Sequence, residues 1–512
     1  MTSTEISPRQ FRLLIAGLIV GLFLSSTEQS VVATALPTMA GELGGADRLS
    51  WVVSAYLLTS TIVTPIYGKL SDLLGRRPVY QMSITIFIVG TLLCGVAQTM
   101  NQLIAARAVQ GLGGGGLMSL AFIILGDVVS PRDRGRYIGL FTTVFTVSAV
   151  IGPLWGGALV DNAGWRWVFL AIVPVGLVAL VVTGKALRIP FGTRDAKIDW
   201  LGGALLTVAT TGLILMLIWG AEDVGWTSPQ VLIAGFAGIG GAVLFVRQER
   251  RASEPVVPLR LFSDRTVASV FVMGFLLMFG LIASTTFLPL LLQIGTGASA
   301  TKSGLMMIPQ SVGISASAAL MGYLVSSTGR YKWTLILGPV LSAIGMALVS
   351  TIGVDVTMLS LTPILLLLGI GLGMTFPHLT LAVQNAAEPA DLGVATSGAN
   401  FFRALGGVFG AAIGGVVMAT RLETRLSDRL DASRLDDLGG ASGLIRSPKA
   451  VQELAPDLQD IVADSVAGAV SGVFLLAVPV MAAIALIGLL IEERPLRTHS
   501  AMSAPAKTGA DD

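Results

Sequence analysis

A glutamate in the middle of an apolar run is the first residue of this sequence that could do chemistry. Glu28 lies in LFLSSTEQSVVATALP (22–37), deep in the first long hydrophobic stretch. Burial in low dielectric disfavours the charged form of a carboxyl group. Such a group can hold a proton at neutral pH and release it when water or a cationic ligand arrives, which is the chemistry of proton exchange. Thr27, Gln29 and Ser30 beside it are suited to line one polar cavity. Arg107, in RAVQGLGGGGLMSLA (107–121), is a second charge within an apolar run. A charge there costs roughly 2.5–3.5 kcal/mol on insertion scales, so it faces a cavity or a partner, or snorkels to the interface.

Other polar residues stand near the ends of apolar runs. His378, in GMTFPHLTLAV (373–383), can relay protons or simply pack beside Pro377. Asn400 and Arg403, in SGANFFRALGG (397–407), open a later run, where Arg403 is expected to reach the cytoplasmic interface. Gln29, Asn400 and His378 are the candidates for a substrate cavity. The loop GKLSDLLGRRP (68–78) carries Gly68, Asp72, Gly75, Arg76 and Arg77, and Asp127 precedes SPRDRGR (130–136). Gly75 suits a turn, and Asp72 can sit at a helix N-terminus, whose free N–H groups favour an anion. With Asp127, these charges form a cluster that can latch and release. SAVIGPLWGGALVD (148–161) places Gly152, Gly156 and Gly157 for close helix approach, with Pro153 removing a backbone hydrogen bond. The glycine run 111–116 is followed by no GK[ST] and lies inside an apolar run, which argues against a phosphate cradle. The one cysteine, Cys94, and the two histidines allow no disulfide and no cysteine or histidine metal cluster.

The elements that position these residues are membrane helices. The chain has 512 residues, 53% apolar and only 12% charged, against roughly 25% charged in soluble domains. It cannot cover a water-facing surface, so lipid is the outer solvent for much of it. A net charge of +2 gives no reason to expect a nucleic-acid partner. Runs long enough to cross the hydrocarbon lie near 12–36, 49–70, 79–98, 103–126, 137–160, 166–188, 200–219, 229–247, 266–293, 302–326, 332–351, 357–383, 398–420 and 467–490. Alternate short loops carry Lys69, Arg76 and Arg77; Arg132, Arg134 and Arg136; Lys185, Arg188, Arg194 and Lys197; Arg247, Arg250, Arg251, Arg260 and Arg265; and Arg330 and Lys332. The opposite short loops offer only Arg48, Arg166 and Lys302. The positive-inside rule puts the first set, and both termini, in the cytoplasm. A long outer loop is expected over 421–466 and a disordered cytoplasmic tail over 491–512.

A repeat is hidden in the spacing. Gly68, Gly75 and Arg76 match Gly322, Gly329 and Arg330 at one constant offset. The same offset carries Gly152 and Gly156 onto Gly406 and Gly410. This predicts an all-α membrane protein of two related six-helix bundles plus two inserted helices. Residues 1–11 form a cytoplasmic N-terminus, 12–190 the first bundle, 191–260 the inserted pair and its linkers, and 261–490 the second bundle. Paired halves of this kind build alternating access in many transporters.

From about residue 12 to 490 the sequence resembles the major facilitator superfamily, and within it the fourteen-span drug:proton antiporters. GKLSDLLGRRP matches the superfamily's loop between spans 2 and 3. RAVQGLGGGG looks like its span-4 signature, VIGPLWGGAL is similar to the antiporter signature of span 5, and GWRWVFLAIVPVG (164–176) is typical of the fourteen-span branch. The resemblance implies export of hydrophobic, often cationic compounds against proton entry, with no cofactor. It implies gating roles for Gly68, Asp72, Gly75, Arg76 and Arg77, and a place near the proton site for Arg107. It puts Gly152, Pro153, Gly156 and Gly157 in the antiporter helix. It also implies a monomer in the plasma (inner) membrane. The family usually has an aspartate in span 1 where this chain has Glu28, one methylene longer. An exporter of an endogenous lipid or metabolite is the alternative on the same fold. No nucleotide loop, metal spacing or serine–histidine arrangement suggests an enzyme.

Overall fold

The computed structural model describes residues 7–44, 48–188, 199–221, 225–298, 300–354, 356–430, 451 and 454–497. Among them are fourteen helices long and apolar enough to cross a membrane. They are α1 (Pro8–Leu43), α2 (Leu49–Leu74), α3 (Arg76–Val96), α4 (Met100–Val128), α5 (Pro131–Ala163), α6 (Arg166–Ala186), α7 (Trp200–Ala221) and α8 (Pro229–Glu249). The remaining six are α9 (Arg265–Gly295), α10 (Lys302–Thr328), α11 (Lys332–Ser350), α12 (Met358–Ala386), α13 (Leu392–Ser427) and α14 (Pro456–Leu490). Local signals set several starts. Ser7 and Ser130 cap α1 and α5, each followed at once by a proline, whose missing N–H costs nothing at that position.

Three departures from the sequence reading have physical causes. The long outer loop expected over 421–466 is shorter, because α13 continues to Ser427 and α14 begins at Pro456. RLETRLS stays helical since Leu422 and Leu426, one turn apart, keep a buried face. Arg421 and Arg425 lie against Gly472 and Gly468 of α14, so these charges cover helix rather than a loop. Residues 431–450, the linker 189–198 and 498–512 of the expected tail lie outside the described residues, whereas 491–497 of that tail is packed, with Ile491 and Leu496 buried and Arg494 paired with Asp264 at 2.9 Å. Span 9 is also not regular. It changes to π-helical turns at 283–287 and 291–295, on either side of Leu288–Leu290, which contains Pro289. Such turns free backbone groups and often mark functional segments. Here Gln310 donates to Ser284 Oγ at 2.6 Å.

The helices pack as two copies of one arrangement. In the first half α1 packs on α5 and α6, while α4 packs on α2 and α3. In the second, α9 packs on α13 and α14, while α12 packs on α10 and α11. The repeated glycines do the same work in each copy. Gly152 and Gly156 let α5 close on Ser30, Val31 and Thr34 of α1; Gly406 and Gly410 let α13 close on Phe275 and Phe279 of α9. The halves meet through α5 against α10 and α2 against α13. The inserted helices α7 and α8 pack on each other, and α7 also touches α2 and α13.

Candidate functional site

Glu28 and Arg107 meet inside the first half. Glu28 is 0% and Arg107 1% exposed. Arg107 Nη1 donates to Glu28 Oε1. It also donates to Gln110 Oε1 at 2.6 Å, and Nε donates to the Val52 carbonyl at 2.9 Å. The guanidinium lies 4.5 Å from the centre of the Tyr56 ring. Gln110 is held in turn by donating to Thr91 Oγ1 at 2.8 Å. The glycine run of α4 makes this packing feasible. Gly111 and Gly115 admit the backbone of α2 at Tyr56 and Ser60, and Gly113 admits Phe87 of α3. Glu28 Oε2 is buried with no hydrogen-bond partner. One carboxyl oxygen is therefore tied to a cation, and the other is free to take a proton or a second cation.

The segment around Glu28 is fastened to α5. Ser26 and Thr27 donate to Ser148 Oγ at 2.8 and 2.9 Å, and Ser30 lies on Gly152. Thr27 is thus buried against α5 rather than lining an open cavity, whereas Gln29 is exposed. At the far end of α1, Glu42 accepts from the Trp165 indole and from Arg166 at 2.9 Å each. These bonds hold its carboxyl below the usual range, the Trp165 bond most, then Arg166.

A second charge cluster sits at the end of α2, on the face that also carries Arg132, Arg134, Arg260 and Arg330, called the basic face below. Arg76 is buried. Its Nε donates to Asp127 Oδ2 at 2.6 Å, and Nη1 donates to Ser71 Oγ at 2.6 Å and to Asp72 Oδ1. Asp72 lies against Gly393, in the first turn of α13. An anion is favourable at that helix start, although Asp72 Oδ2 has no hydrogen-bond partner there. Arg77 is exposed and stands apart from the cluster. Gly75 has φ +90° at the turn into α3, a conformation that favours glycine.

The halves are pressed together at this face. A Cβ on Gly68 would overlap Ser397 of α13, and one on Gly322 would overlap the Gly135 carbonyl of α5. Gly139 lies on Ala318 in the same contact. Gln384 of α12 donates to the Phe122 carbonyl of α4 at 2.9 Å, and Arg132 of α5 donates to the Ser326 carbonyl of α10 at 3.3 Å. The loop after α8 spans the same seam. Lys69 donates to Glu254 at 2.5 Å, and Arg260 donates to Asp391 at 2.7 Å.

Within the α5 motif the glycines divide. Gly156 is closed in, with a Cβ there 2.5 Å from Thr34 Oγ1, whereas a Cβ on Gly157 meets nothing within 4 Å. Gly157 is therefore not part of the tight face. Helix α5 runs on through Pro153, which is exposed. Gly157→Ala is expected to leave thermal unfolding in detergent unchanged, while Gly156→Val overpacks the α1 contact and costs about 1–3 kcal/mol. Equal losses would show that Gly156 is not packed more tightly against α1 than Gly157.

The remaining candidates lie in the second half. His378 is buried, its Nδ1 bonded to the Met374 carbonyl at 2.6 Å one turn back in α12. Asn400 is buried beside Arg403. Arg403 does not reach the interface. It is 3% exposed, eleven residues inside α13, because Gly274 of α9 makes room for its aliphatic stem. Neither residue belongs to the Glu28 network. Sequence reading missed Tyr56 and Thr91, which carry no motif of their own, and Gln110, which lies within RAVQGLGGGG but was given no role. It also missed Gly139 and Gly393, although these two share the offset of the other repeated glycines.

The Major Facilitator Superfamily model matches residues 18–411. The chain belongs to the Major Facilitator Superfamily. It is 38% identical over 418 residues to the multidrug transporter protein MdtP of Bacillus subtilis (strain 168), covering 82% of this chain and 77% of that one. It is 31% identical over 490 residues to multidrug resistance protein 3 of the same organism, covering 94% and 96%. Among solved structures, the human organic anion transporter MFSD10 superposes with TM-score 0.61 at 17% identity, covering 93% of this chain and 100% of that one. The proton:xylose symporter XylE superposes with TM-score 0.59 at 14% identity, covering 93% and 95%. At these identities the structural likeness shows the shared fold alone. The two-half packing is thus that of a multi-pass Major Facilitator Superfamily transporter.

Proposed function

We propose that this transporter exports small amphipathic, often cationic compounds in exchange for protons. The basic face and both termini lie in the cytoplasm and the helices cross the plasma membrane. It works as a monomer without a cofactor. The observation that carries the reading is the buried Glu28–Arg107 pair with one carboxyl oxygen unpartnered. Protonating Glu28 removes the counter-charge of Arg107, which keeps its hydrogen bonds to Gln110 and the Val52 carbonyl and the Tyr56 face. A cationic cargo competes for the same carboxylate, so proton and cargo occupancy exclude each other. The likeness to a multidrug transporter and a multidrug resistance protein supports export, and the basic loops support the orientation.

The coupling has a mechanical route. Helix α5 carries Ser148 and Gly152 against the Glu28 segment, and Gly135 and Gly139 against α10 of the other half. A rotation of the halves that opens the basic face therefore moves α5 against α1. The Asp72–Arg76–Asp127 cluster stands beside the same seam and reforms when the face closes. The test is substrate-dependent pH change in proteoliposomes, across a panel of cationic dyes and membrane lipids. Dye-driven proton release is expected. Transport of lipids alone, with no proton movement, would remove the reading.

A further inference from the structure

Four arginines are buried among the described residues: Arg76, Arg107, Arg134 and Arg403. Arg76 and Arg107 hold carboxylates. Arg134 donates to the carbonyls of Val129, Gly126 and Gln384. Arg403 has neither kind of partner among the described residues. Its Nη2 donates to Asn400 Oδ1, and its guanidinium lies 4.6 Å from the centre of the Phe376 ring. Its Nη1 is buried without an acceptor, and so is Nδ2 of Asn400. A buried cation and a buried amide thus present two unsatisfied donors one helical turn apart. Each such donor is destabilising until an acceptor meets it.

The place of this pair in the fold says what can meet it. Arg403 stands about 16 Å along α13 from its start at the basic face, at 1.5 Å per residue. Asn400 follows Ser397 by one turn, and Ser397 packs on Gly68 across the seam between the halves. Phe376 lies two turns above Gln384 on α12, and Gln384 reaches the other half at the Phe122 carbonyl. Residues 371–387 of this region are all buried except Phe376, which is partly exposed. On α4, residues 113–127 are all buried except Met118, one turn above Phe122. Each of these enclosed helices thus has one partly exposed residue inward of the contact between the halves. Arg403 borders the one on the second half, Phe376.

We propose that Arg403 and Asn400 form a cargo subsite for an anionic oxygen, a carboxylate or sulfonate, on an aromatic amphipathic compound. The unneutralised guanidinium sets the charge preference. The Asn400 amide supplies the second donor, and the Phe376 ring supplies a flat apolar wall. The cargo's cationic end is then left for the Glu28 half, so a molecule carrying both charges spans the two halves. This rests on the transporter reading above and adds a cargo class to it.

The experiment uses two dyes on the purified full chain: a cationic xanthene dye with its carboxyl group methylated, and the same dye with that group free. Binding is measured by fluorescence anisotropy in detergent, with no proton gradient. The wild-type protein is expected to bind the free acid more tightly than the ester. Arg403→Gln is expected to lower that preference by about 10- to 100-fold, the value of a hydrogen bond to a charged group, with ester binding unchanged. Arg403→Lys, which keeps the charge, restores part of it. Asn400→Ala leaves the charge in place and lowers the preference by roughly 2- to 10-fold. Equal binding of both dyes by the wild type overturns the subsite, as does a preference unmoved in either Arg403→Gln or Asn400→Ala. Glu28→Gln is expected to keep the preference, so a failure of proton coupling and a failure of this subsite give different results.

Discussion

Glu28→Gln in inverted membrane vesicles reduces proton-driven dye uptake to the level seen without a gradient, while dye binding to the purified protein persists. The reasoning is local. Glutamine keeps an oxygen for Arg107 and nearly the same volume, so the contacts of α1 with α2, α4 and α5 survive. It cannot carry or release the proton. Uptake that persists unchanged would move the coupling site elsewhere. A structural role is separated by a second set of variants. Glu28→Leu leaves the Arg107 guanidinium buried without its carboxylate and costs about 3–5 kcal/mol of stability. Glu28→Leu combined with Arg107→Met replaces the pair by apolar groups and regains most of that stability, yet still cannot couple. Recovery of proton-driven uptake in the double variant would show the pair to be a packing device only.

What made this site legible in the sequence was its cost. A carboxylate and a guanidinium inside apolar runs demand an explanation: a cavity, a partner or an escape to the interface. The sequence could not say that Glu28 and Arg107 are each other's partner, because nothing in linear spacing relates α1 to α4. The contact between the halves was legible for a different reason. Glycines at one constant offset encode the repeat; of these, Gly152, Gly156, Gly406 and Gly410 pack helices within their halves, while Gly68 and Gly322 meet the opposite half. Arg403 failed to read correctly because position near the start of a span suggests snorkelling. Its burial depends on Gly274, a glycine on another helix. The long outer loop misread for a similar reason. Hydropathy stops where charge begins, but Leu422 and Leu426 keep the helix packed for two more turns.

Closure of the basic face gives the second large effect. Gly322 of α10 lies on the backbone of Gly135 in α5, so a side chain there strikes a carbonyl and not a flexible tip. Neither helix can yield without moving its half. Gly322→Leu is expected to hold the halves apart at this face and disfavour the closed state by about 1–3 kcal/mol, which shifts the population roughly 5- to 150-fold. Gly415 of α13, where a Cβ meets nothing within 4 Å, supplies the control Gly415→Leu. The readout is maleimide labelling of Thr380→Cys, a buried position inside the gate on α12. The background is low, because the one native cysteine, Cys94, is buried. Labelling from the basic face should rise with Gly322→Leu and stay low with Gly415→Leu, and turnover should fall in the first alone. The two effects must appear together. The same α5 helix that meets Gly322 also carries Ser148 and Gly152 against the Glu28 segment, so a face that cannot close leaves the proton site in one orientation. Wild-type turnover in Gly322→Leu would mean that this contact is not remade in the cycle, and α5 would lose its place as the link between gate and carboxylate.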